Sequence, residues 1–219
     1  MENSRHAEAP DPLIAATGLR LSTGRGVVFD NISLTVPHGA LLAVTGRAGS
    51  GKSALLLALT GRMRGLTGSL VVDGHDGVRH PNRVRKVTSV ARIDALIEAE
   101  RSLSLEDCIT ERTLADGAAA RSRKANYLHT AGLLGLLVPL DTLYGDLAPA
   151  DQIRASVALA TIRPTPLVVV DDIDRETTAP EQEQLWEGLG RLAADGVSVI
   201  ATTSELTTLP TDILTLEMS

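Results

Sequence analysis

Residues 46–53 combine the residue types and the spacing that hold a phosphate chain. Their sequence fits G-x-x-x-x-G-K-[S/T] without a mismatch and runs Gly46-Arg47-Ala48-Gly49-Ser50-Gly51-Lys52-Ser53. Glycines let backbone N–H groups fold around an anion, and a helix that follows directs its positive end at the same anion. We predict that this loop and Ala54 wrap a nucleoside triphosphate, that Lys52 contacts the β- and γ-phosphates, and that Ser53 binds Mg²⁺.

The segments around this loop follow the order that phosphate binding requires. Residues 40–44 form a short apolar run suited to a buried strand, and residues 53–60 predict a buried helix that ends at Gly61. Strand, loop and helix are therefore in register. This context disfavours the alternative of a glycine-rich turn that precedes Lys52 and Ser53 by chance.

The rest of the chain is predicted to contain short strands with a helical middle. Apolar patterns predict strands over residues 13–22, 27–36, 69–73, 83–91, 167–170, 197–203 and 212–216. Between residues 94 and 161 the chain is predicted to be helical, with capping chemistry at Ser104 and further segments over 114–134 and 149–161. A helix over 180–192 has a proline at its start.

The composition is that of an ordinary globular chain, and it narrows the classes of function. Of the 219 residues, 43% are hydrophobic and 22% are charged, and the net charge is −6. No dense block of lysine and arginine has interleaved aromatic residues, so we do not expect nucleic acid as a partner. The histidines and Cys108 lack ligand spacing, so we expect no structural zinc site.

The single cysteine and the apolar runs bear on location. One cysteine excludes an intrachain disulfide, which agrees with a reducing compartment, and Cys108 is predicted to be a small buried hydrophobic residue. No run reaches the roughly 18 apolar residues of a membrane span, and residues 1–10 lack the apolar stretch of a signal peptide. We expect a cytoplasmic chain, or one that is peripheral to a membrane through a partner.

Several segments together resemble the nucleotide-binding domain of ATP-binding cassette (ABC) proteins over residues 12–217. Besides the phosphate loop, they are the opening strands over 19–39, the hairpin Gly68-Ser-Leu-Val-Val-Asp-Gly74, the signature-helix position over 147–164, and Val168-Val-Val-Asp171. The resemblance implies an α/β fold. It has a P-loop NTPase core, with a mostly parallel sheet flanked by helices, an N-terminal antiparallel β-subdomain and an inserted α-helical subdomain.

The resemblance also implies a domain organisation and partners. We expect a flexible tail over residues 1–11, an ATP-binding core with the antiparallel subdomain over 12–91 and 162–219, and a helical subdomain over 92–161. ATP and Mg²⁺ would bind between two cassettes, in a homodimer or a heterodimer. Closure of the two cassettes would drive a transmembrane permease subunit at the inner face of the cell membrane.

The acidic pair after residue 170 matches the family in part. Asp171 corresponds to the metal-binding Asp, and the pair is expected to face the metal ion from a strand neighbouring that of the phosphate loop. The family's next residue is a Glu that positions or activates water, and here it is Asp172. Its stem is one methylene shorter, and a misplacement near 1 Å costs on the order of 100-fold in rate. Asp172 is therefore either a catalytic carboxylate acting with Lys52 or a second acid at the metal.

The signature segment departs further from the family. The pattern Leu-Ser-Gly-Gly-Gln contacts the γ-phosphate of ATP on the other cassette, and the aligned residues are Leu147-Ala148-Pro149-Ala150-Asp151. Ala148 has no hydroxyl, Pro149 has no N–H, and Asp151 adds a negative charge near the expected phosphate. We expect the segment to start a helix and to lose most of its phosphate contacts.

Other positions lack the family's groups as well. Ser204 aligns with the switch histidine and has no imidazole, and residues 173–178 lack a clear match to the D-loop. Arg92 lies where the Q-loop glutamine is expected, either as a cation that attracts phosphate or as an ordinary surface arginine. No aromatic residue lies near Ser22 and Thr23 to stack on adenine, and Phe29 is predicted to be part of the core.

Two functions of different classes follow. The chain is either the ATPase subunit of an ABC-type transport system with slow hydrolysis, or a nearly inert nucleotide-binding module that regulates or holds together a membrane complex. The phosphate loop and acid pair favour the first, and the missing hydroxyl, N–H and imidazole groups favour the second. A soluble P-loop kinase or nucleotide switch is a weaker alternative, because the spacing from Leu147 to Asp171 disagrees with it.

Overall fold

A parallel β-sheet forms the centre of the molecule. The computed structural model describes residues 11–93, 96–116 and 123–219. Within these ranges the elements are β1 Ile14–Thr23, β2 Gly26–Val36, β3 Leu41–Gly46, α1 Lys52–Leu59, β4 Leu66–Val72, β5 His75–Asp76, α2 Pro81–Lys86, β6 Thr88–Arg92, α3 Leu105–Ala115, α4 Arg123–Leu134, α5 Pro149–Ala160, β7 Leu167–Val170, α6 Ala179–Ala194, β8 Ser198–Thr203 and β9 Leu214–Met218. The parallel sheet has the order β6-β7-β8-β3-β9, and an antiparallel sheet has the order β2-β1-β4-β5.

The parallel sheet is the middle layer of the fold because its strands are apolar on both faces. In β3, Leu41 and Ala43 pack with the buried faces of α3, α4, α5 and α6. Leu42 and Val44 point the other way, into a core shared with α1 and the antiparallel sheet. Alternation of side chains along a strand thus sends one apolar run into two cores, as expected for a parallel sheet covered on both sides.

The helix starts follow local chemistry. Ser104 caps α3, with its hydroxyl accepting from the N–H of Asp107 while the Asp107 carboxylate accepts in return, as the sequence predicts. Thr178 and Glu181 form the same reciprocal arrangement at the start of α6, where Pro180 lies in the first turn. Within the described ranges, no helix has the length and apolar character needed to cross a membrane.

The prediction of one strand over residues 83–91 is wrong for its first half. Residues 81–86 form the helix α2, and the strand β6 begins only at Thr88. Pro81 fixes the first turn of α2, and the basic residues that follow lie in its last turn, where cations favour a helix end. A short helix with a single buried residue, Val84, has no periodicity that distinguishes it from an edge strand.

Two further predictions need correction or fall partly outside the structure. The segment predicted as helical over 114–134 contains the end of α3 and all of α4, while residues 117–122 lie outside the described residues. The acidic pair was expected on a strand next to that of the phosphate loop. In the sheet, β8 lies between β7 and β3, so the pair is one strand further away.

Candidate functional site

The loop between β3 and α1 forms a cradle that only glycine permits at two positions. Gly46 has a φ of 145° and Gly51 a φ of 94°, both in the region that side chains rarely adopt. The carbonyl oxygen of Met218, on the neighbouring β9, occupies the place where a side chain of Gly46 would begin. The cradle's shape is therefore fixed by backbone conformation and by the strand beside it.

Lys52 lies inside this cradle. Its side chain is buried, and its Nζ donates hydrogen bonds to the carbonyl oxygens of Gly46 at 2.8 Å and Arg47 at 3.2 Å. The buried hydroxyl of Ser50 has no hydrogen-bond partner within the described part of the chain. A buried ammonium group beside an unsatisfied hydroxyl is an environment that a bound anion would complete.

The acidic pair at the end of β7 is organised by Thr202 of β8. The Thr202 hydroxyl donates to Oδ1 of Asp171 and accepts from the backbone N–H of Asp172 at 2.8 Å. Asp171 is fully buried, and its Oδ2 has no hydrogen-bond partner among the residues described. An unpaired buried carboxylate oxygen is costly unless a cation or donor meets it. Thr202 was not predicted from the sequence, where its only signal is a polar residue at the end of an apolar strand.

Asp172 lies in a left-handed turn, with a φ of 48°. Burial raises the pKa of its carboxyl, and the charges of Asp171 and Asp174 raise it further. Lys52 and Arg92 act in the opposite direction on that pKa. The pKa of Asp172 is thus influenced by the charge of Lys52 in the cradle and by the charges of two neighbouring carboxylates.

Ser204, which aligns with the switch histidine, is hydrogen-bonded to a carboxylate. Oδ2 of Asp174 accepts hydrogen bonds from the hydroxyl of Ser204, from the N–H of Ser204 at 2.8 Å and from the N–H of Glu205 at 3.2 Å. These three bonds tie the segment after β8 to the loop after β7. The sequence predicts the missing imidazole, but it does not reveal this acidic clamp.

One cavity of about 570 Å³ brings most of the predicted site residues together. Its lining consists of Ala48, Gly49, Gly51, Lys52, Ser53, Ala54, Asp172, Asp174, Arg175 and Ser204. A second cavity of about 640 Å³ is lined in part by Gly46, Arg47, Ala48 and Ser204. Asp171 and the hydroxyl of Ser50 are buried, and neither residue lines these two cavities. The P-loop and the acidic loop therefore face the same space.

Arg92 is not the ordinary surface arginine that the sequence left open. Only 7% of the residue is exposed, at the end of β6, and its backbone carbonyl accepts from the N–H of Asp171 at 3.1 Å. In the described structure, no hydrogen bond or ion pair joins its guanidinium group to another residue. The charge of Arg92 acts to lower the pKa of both Asp172 and Tyr144.

The signature segment starts a helix, as predicted. Ala148 is the N-cap of α5, with no side-chain capping bond, and Pro149 is the first helical residue. The Asp151 carboxylate is paired with Arg154, whose Nη1 lies 2.7 Å from Oδ1. Arg154 also donates to Gln184 of α6. The charge of Asp151 is thus offset by a neighbour, and the segment does not line the cavity of its own chain.

The aromatic residues leave the base side of the site without a stacking platform. All of the chain's aromatic residues are buried: Phe29, Tyr127, Tyr144 and Trp186. Phe29 belongs to the core, as predicted. The backbone and side chain of Val28 instead lie against Gly51, and Val27 beside it is 52% exposed. An apolar valine edge replaces an aromatic face next to the phosphate loop.

The residues fit a magnesium-bound triphosphate. Ser53 and Asp171 are hydroxyl and carboxylate oxygens, the donors that Mg²⁺ prefers, and Mg²⁺ in phosphate sites needs few protein ligands. The unpartnered Oδ2 of Asp171 and the unsatisfied Ser50 hydroxyl both suit such a ligand. No group of three or more His, Cys, Asp or Glu residues forms a protein-only metal cage in the described part of the molecule.

Comparison with known protein families decides the class. Residues 29–174 match the family model described as ABC transporter, which covers more than half of the chain. The chain belongs to the ABC transporter family. This membership implies ATP binding and confirms the family resemblance drawn from the motifs. It overturns the alternative of a soluble P-loop kinase.

Curated ABC relatives are similar in sequence but longer. The ribose import ATP-binding protein RbsA of Caldanaerobacter subterraneus subsp. tengcongensis is 27% identical over 198 residues, which cover 87% of this chain and 39% of that protein. The protein of the same name from Pseudomonas putida is 28% identical over 199 residues, covering 86% and 38%. This chain therefore spans about two fifths of the length of these relatives.

Solved ABC structures share the fold. An ATP-binding cassette of an ABC transporter in its ADP conformation superposes with a TM-score of 0.79 at 15% identity, covering 94% of this chain and 87% of that one. The cbiO1 protein of Clostridium perfringens, part of the ABC transporter complex cbiONQ, has a TM-score of 0.79 at 14% identity and covers 95% and 85%. These superpositions confirm the predicted α/β fold of the P-loop NTPase class.

Proposed function

We propose that this ABC chain binds Mg-ATP in the P-loop cradle and serves as the ATP-binding subunit of a membrane transport system, with slow hydrolysis. The observation that carries the proposal is the meeting of Lys52, Ser53 and Asp172 in one cavity, with the unpartnered Oδ2 of Asp171 behind it. Backbone N–H groups and a buried lysine supply the positive field that a triphosphate needs.

In this proposal Ser53 and Asp171 hold Mg²⁺, which would neutralise phosphate charge during transfer. Thr202 fixes one oxygen of Asp171, which leaves the other available to hold the ion. This division resembles the outer hydrogen bonds that orient metal ligands in other sites. Lys52 would leave its carbonyl partners, or share them, to contact the β- and γ-phosphates.

Asp172 is proposed to orient the attacking water. It lines the cavity and carries a pKa raised by burial and by neighbouring carboxylates, which makes it a stronger proton acceptor than an exposed aspartate. Its short stem and the absence of an imidazole at Ser204 both reduce the precision of positioning, so turnover is expected to be slow.

The partners are proposed from the family. A second cassette would complete the site with its α5 start, and a transmembrane permease subunit would hold the pair at the inner face of the membrane. The relatives named above are ribose import ATP-binding proteins. The second cassette is either another copy of this chain or a different cassette, and a homodimer would contain two altered signature segments.

The second candidate function, an inert nucleotide-binding module, is favoured by one specific observation. Asp174 clamps the Ser204 segment with three hydrogen bonds and places a carboxylate in the cavity where a cationic or neutral donor is useful. Negative charge there opposes the charge that develops on the transferred phosphoryl group. Such a module would bind ATP and regulate or hold together a membrane complex.

Binding and hydrolysis measured together separate the two candidates. We expect the unaltered chain to bind Mg-ATP, Lys52→Ala to bind it much more weakly, and Asp172→Asn to bind it but lose the residual turnover. Lys124→Ala, a surface lysine paired with Glu106, is the matched control for loss of a lysine. Binding without turnover, with the membrane partner present, would favour the inert module. Absence of nucleotide binding in the unaltered chain would contradict both.

A further inference from the structure

A cluster of arginines lies where the strand β6 begins, at the end of the parallel sheet opposite the P-loop cradle. The arginine cluster is defined by guanidinium groups gathered around one carboxylate and consists of Arg62, Arg85, Arg112, Arg123, Arg163 and Asp116. The strand β6 begins here at Thr88 and ends beside Asp171 at Arg92. Four strand steps correspond to roughly 13 Å. The cluster is therefore separate from the nucleotide site.

Asp116, at the end of α3, contacts arginines from three different segments. Its Oδ2 lies 3.3 Å from Nε of Arg112 and 3.8 Å from Nη1 of Arg123, and its Oδ1 lies 3.9 Å from Nε of Arg163. Two of these distances are long for charge-assisted hydrogen bonds. One carboxylate is thus shared among three cations without a close bidentate pair.

Backbone carbonyls hold the remaining arginine nitrogens. Nη2 of Arg163 donates to the carbonyl of Thr88 at 3.2 Å, and Nη1 of Arg62 donates to that of Thr60 at 2.9 Å. Nε of Arg85 donates to the carbonyl of Gly61 at 2.7 Å. Carbonyl contacts fix the side chains but carry no formal charge. Four positive charges in the cluster therefore have no carboxylate of their own among the described residues.

The pKa of Arg62 reflects both burial and repulsion from the other arginines of the cluster. Burial lowers the pKa of Arg62 to about 10, and the charges of Arg112, Arg85 and Arg163 lower it further, against the pull of Asp116. This concentration of positive charge stands out in a chain whose net charge is −6. An anion placed among these groups would relieve the repulsion.

Arg123 provides an independent indication of a ligand. Its side chain is only 5% exposed, and its Nη1 is buried with no hydrogen-bond acceptor in the described residues. A buried donor left unpaired costs about 1–3 kcal/mol, and more when it is charged. Native structures leave few such groups, so each one calls for a partner. The donor lies on the side of Asp116 and the other arginines.

We propose that the arginine cluster binds a multivalent oxyanion of the phosphate type, which bridges α2 and the segment after α1 to α3, α4 and the segment after α5. The planar guanidinium groups match phosphate geometry, and several of them supply donors from different directions. Partial exposure of Arg112 and Arg163, at 28% and 25% of their side chains, gives an anion access from solvent. Asp116 spaces the cations and limits the affinity.

Pyrophosphate binding, measured by calorimetry on the full chain, tests this proposal. Lys52→Ala serves as the background, so that the P-loop cradle does not contribute. We expect one saturable site whose affinity falls about tenfold or more in Arg112→Gln and in Arg163→Gln, because each removes a charge-assisted contact. Arg79→Gln, an exposed arginine paired with Asp76, removes the same charge elsewhere and should leave the affinity unchanged.

Asp116→Asn separates an anion site from a purely structural hub. Loss of the competing carboxylate should tighten pyrophosphate binding, whereas a hub would lose stability with no gain in affinity. If Asp116→Asn does not fold at low salt, pyrophosphate should restore folding, and sodium chloride of equal ionic strength should not.

Three results would overturn the proposal. They are no saturable binding at millimolar pyrophosphate, equal weakening of binding in Arg79→Gln, and no restoration of folding in Asp116→Asn by either salt.

A separate experiment distinguishes a lipid headgroup from a soluble phosphate compound as the ligand. Co-sedimentation with vesicles that contain phosphatidic acid is compared with vesicles of phosphatidylcholine alone. Binding that depends on Arg112 and Arg163 and requires phosphatidic acid identifies a lipid headgroup. Pyrophosphate binding without vesicle binding assigns the cluster to a soluble phosphate compound.

Discussion

The two sides of the nucleotide cavity differ in how many of the family's groups they retain. On the side of β3 and α1, the glycines, Lys52 and Ser53 are all present, and the carbonyl of Met218 moulds the loop. On the side of the loops after β7 and β8, a shorter acid, a serine and a second clamping carboxylate replace the usual groups. In the proposed function, the first side serves nucleotide binding and the second serves phosphoryl transfer. The difference shows that the two roles fall on separate groups, so that each can be tested by its own substitutions.

The largest effect is expected for Lys52→Ala. Removal of the only ammonium group in the cradle should weaken Mg-ATP binding by roughly 10- to 100-fold, because charge-assisted hydrogen bonds contribute about 1.5–3 kcal/mol each. Titration calorimetry checks this value, with Lys124→Ala as the control. Unchanged affinity in Lys52→Ala would contradict the assignment of nucleotide binding to the side of β3 and α1.

Thr202→Val tests the hydrogen bonds by which β8 holds the acidic pair after β7. The substitution keeps the shape but leaves Oδ1 of Asp171 and the N–H of Asp172 without their buried partner, so we expect a loss of about 2 kcal/mol in unfolding free energy. Urea unfolding measures it. Thr45→Val is the matched control, because its hydroxyl makes one long bond of 3.5 Å to Leu216. An equal loss in both variants would argue against a special role for Thr202.

Arg92→Gln sharpens the comparison on the catalytic side. A buried guanidinium that acts on Asp172 should favour the extra charge of the γ-phosphate, so the variant should bind ATP about tenfold more weakly and ADP almost unchanged. Competition titrations with ATP and ADP measure the ratio. Equal weakening for both nucleotides would place Arg92 away from the γ-phosphate.

Ala148→Ser has the smallest expected effect. A hydroxyl at the N-cap of α5 should accept a backbone N–H bond that Ala148 cannot, and raise the unfolding free energy by about 1 kcal/mol. Ser104→Ala, which removes the capping hydroxyl of α3, should lower it by a similar amount. Thermal unfolding of the two variants gives both signs. A stabilised Ala148→Ser chain with faster ATP turnover would show that the signature hydroxyl, once restored, also serves catalysis.

The order of strand, loop and helix at residues 41–59 could be predicted because its glycines and lysine are adjacent in the sequence and need no partner from elsewhere. That this loop holds phosphate stays a prediction. The strand β7 and its acids were equally accessible, since a short apolar run ends in two carboxylates. Cys108 was predicted to be buried, and it is, with burial as the first cause of a thiol pKa raised to about 11.

Contacts between distant residues were not predictable in the same way. The Thr202 bond to Asp171 spans 31 positions, and the Asp174 bond to Ser204 spans 30, so neither follows from local spacing. The burial of Arg92 depends on the helical layer that covers β6. The helix α2 was missed because six residues with one buried side chain carry almost no periodic signal.

The burial of the single tryptophan has a practical consequence for optical experiments. Trp186 is 1% exposed within the layer between the parallel sheet and the helices, and it does not line the nucleotide cavity. Its emission should therefore be that of an indole shielded from solvent, and should shift to the red only when the helical layer opens. Intrinsic fluorescence will follow denaturation cleanly and stay silent to ligand occupancy, which a nucleotide carrying its own fluorophore must report.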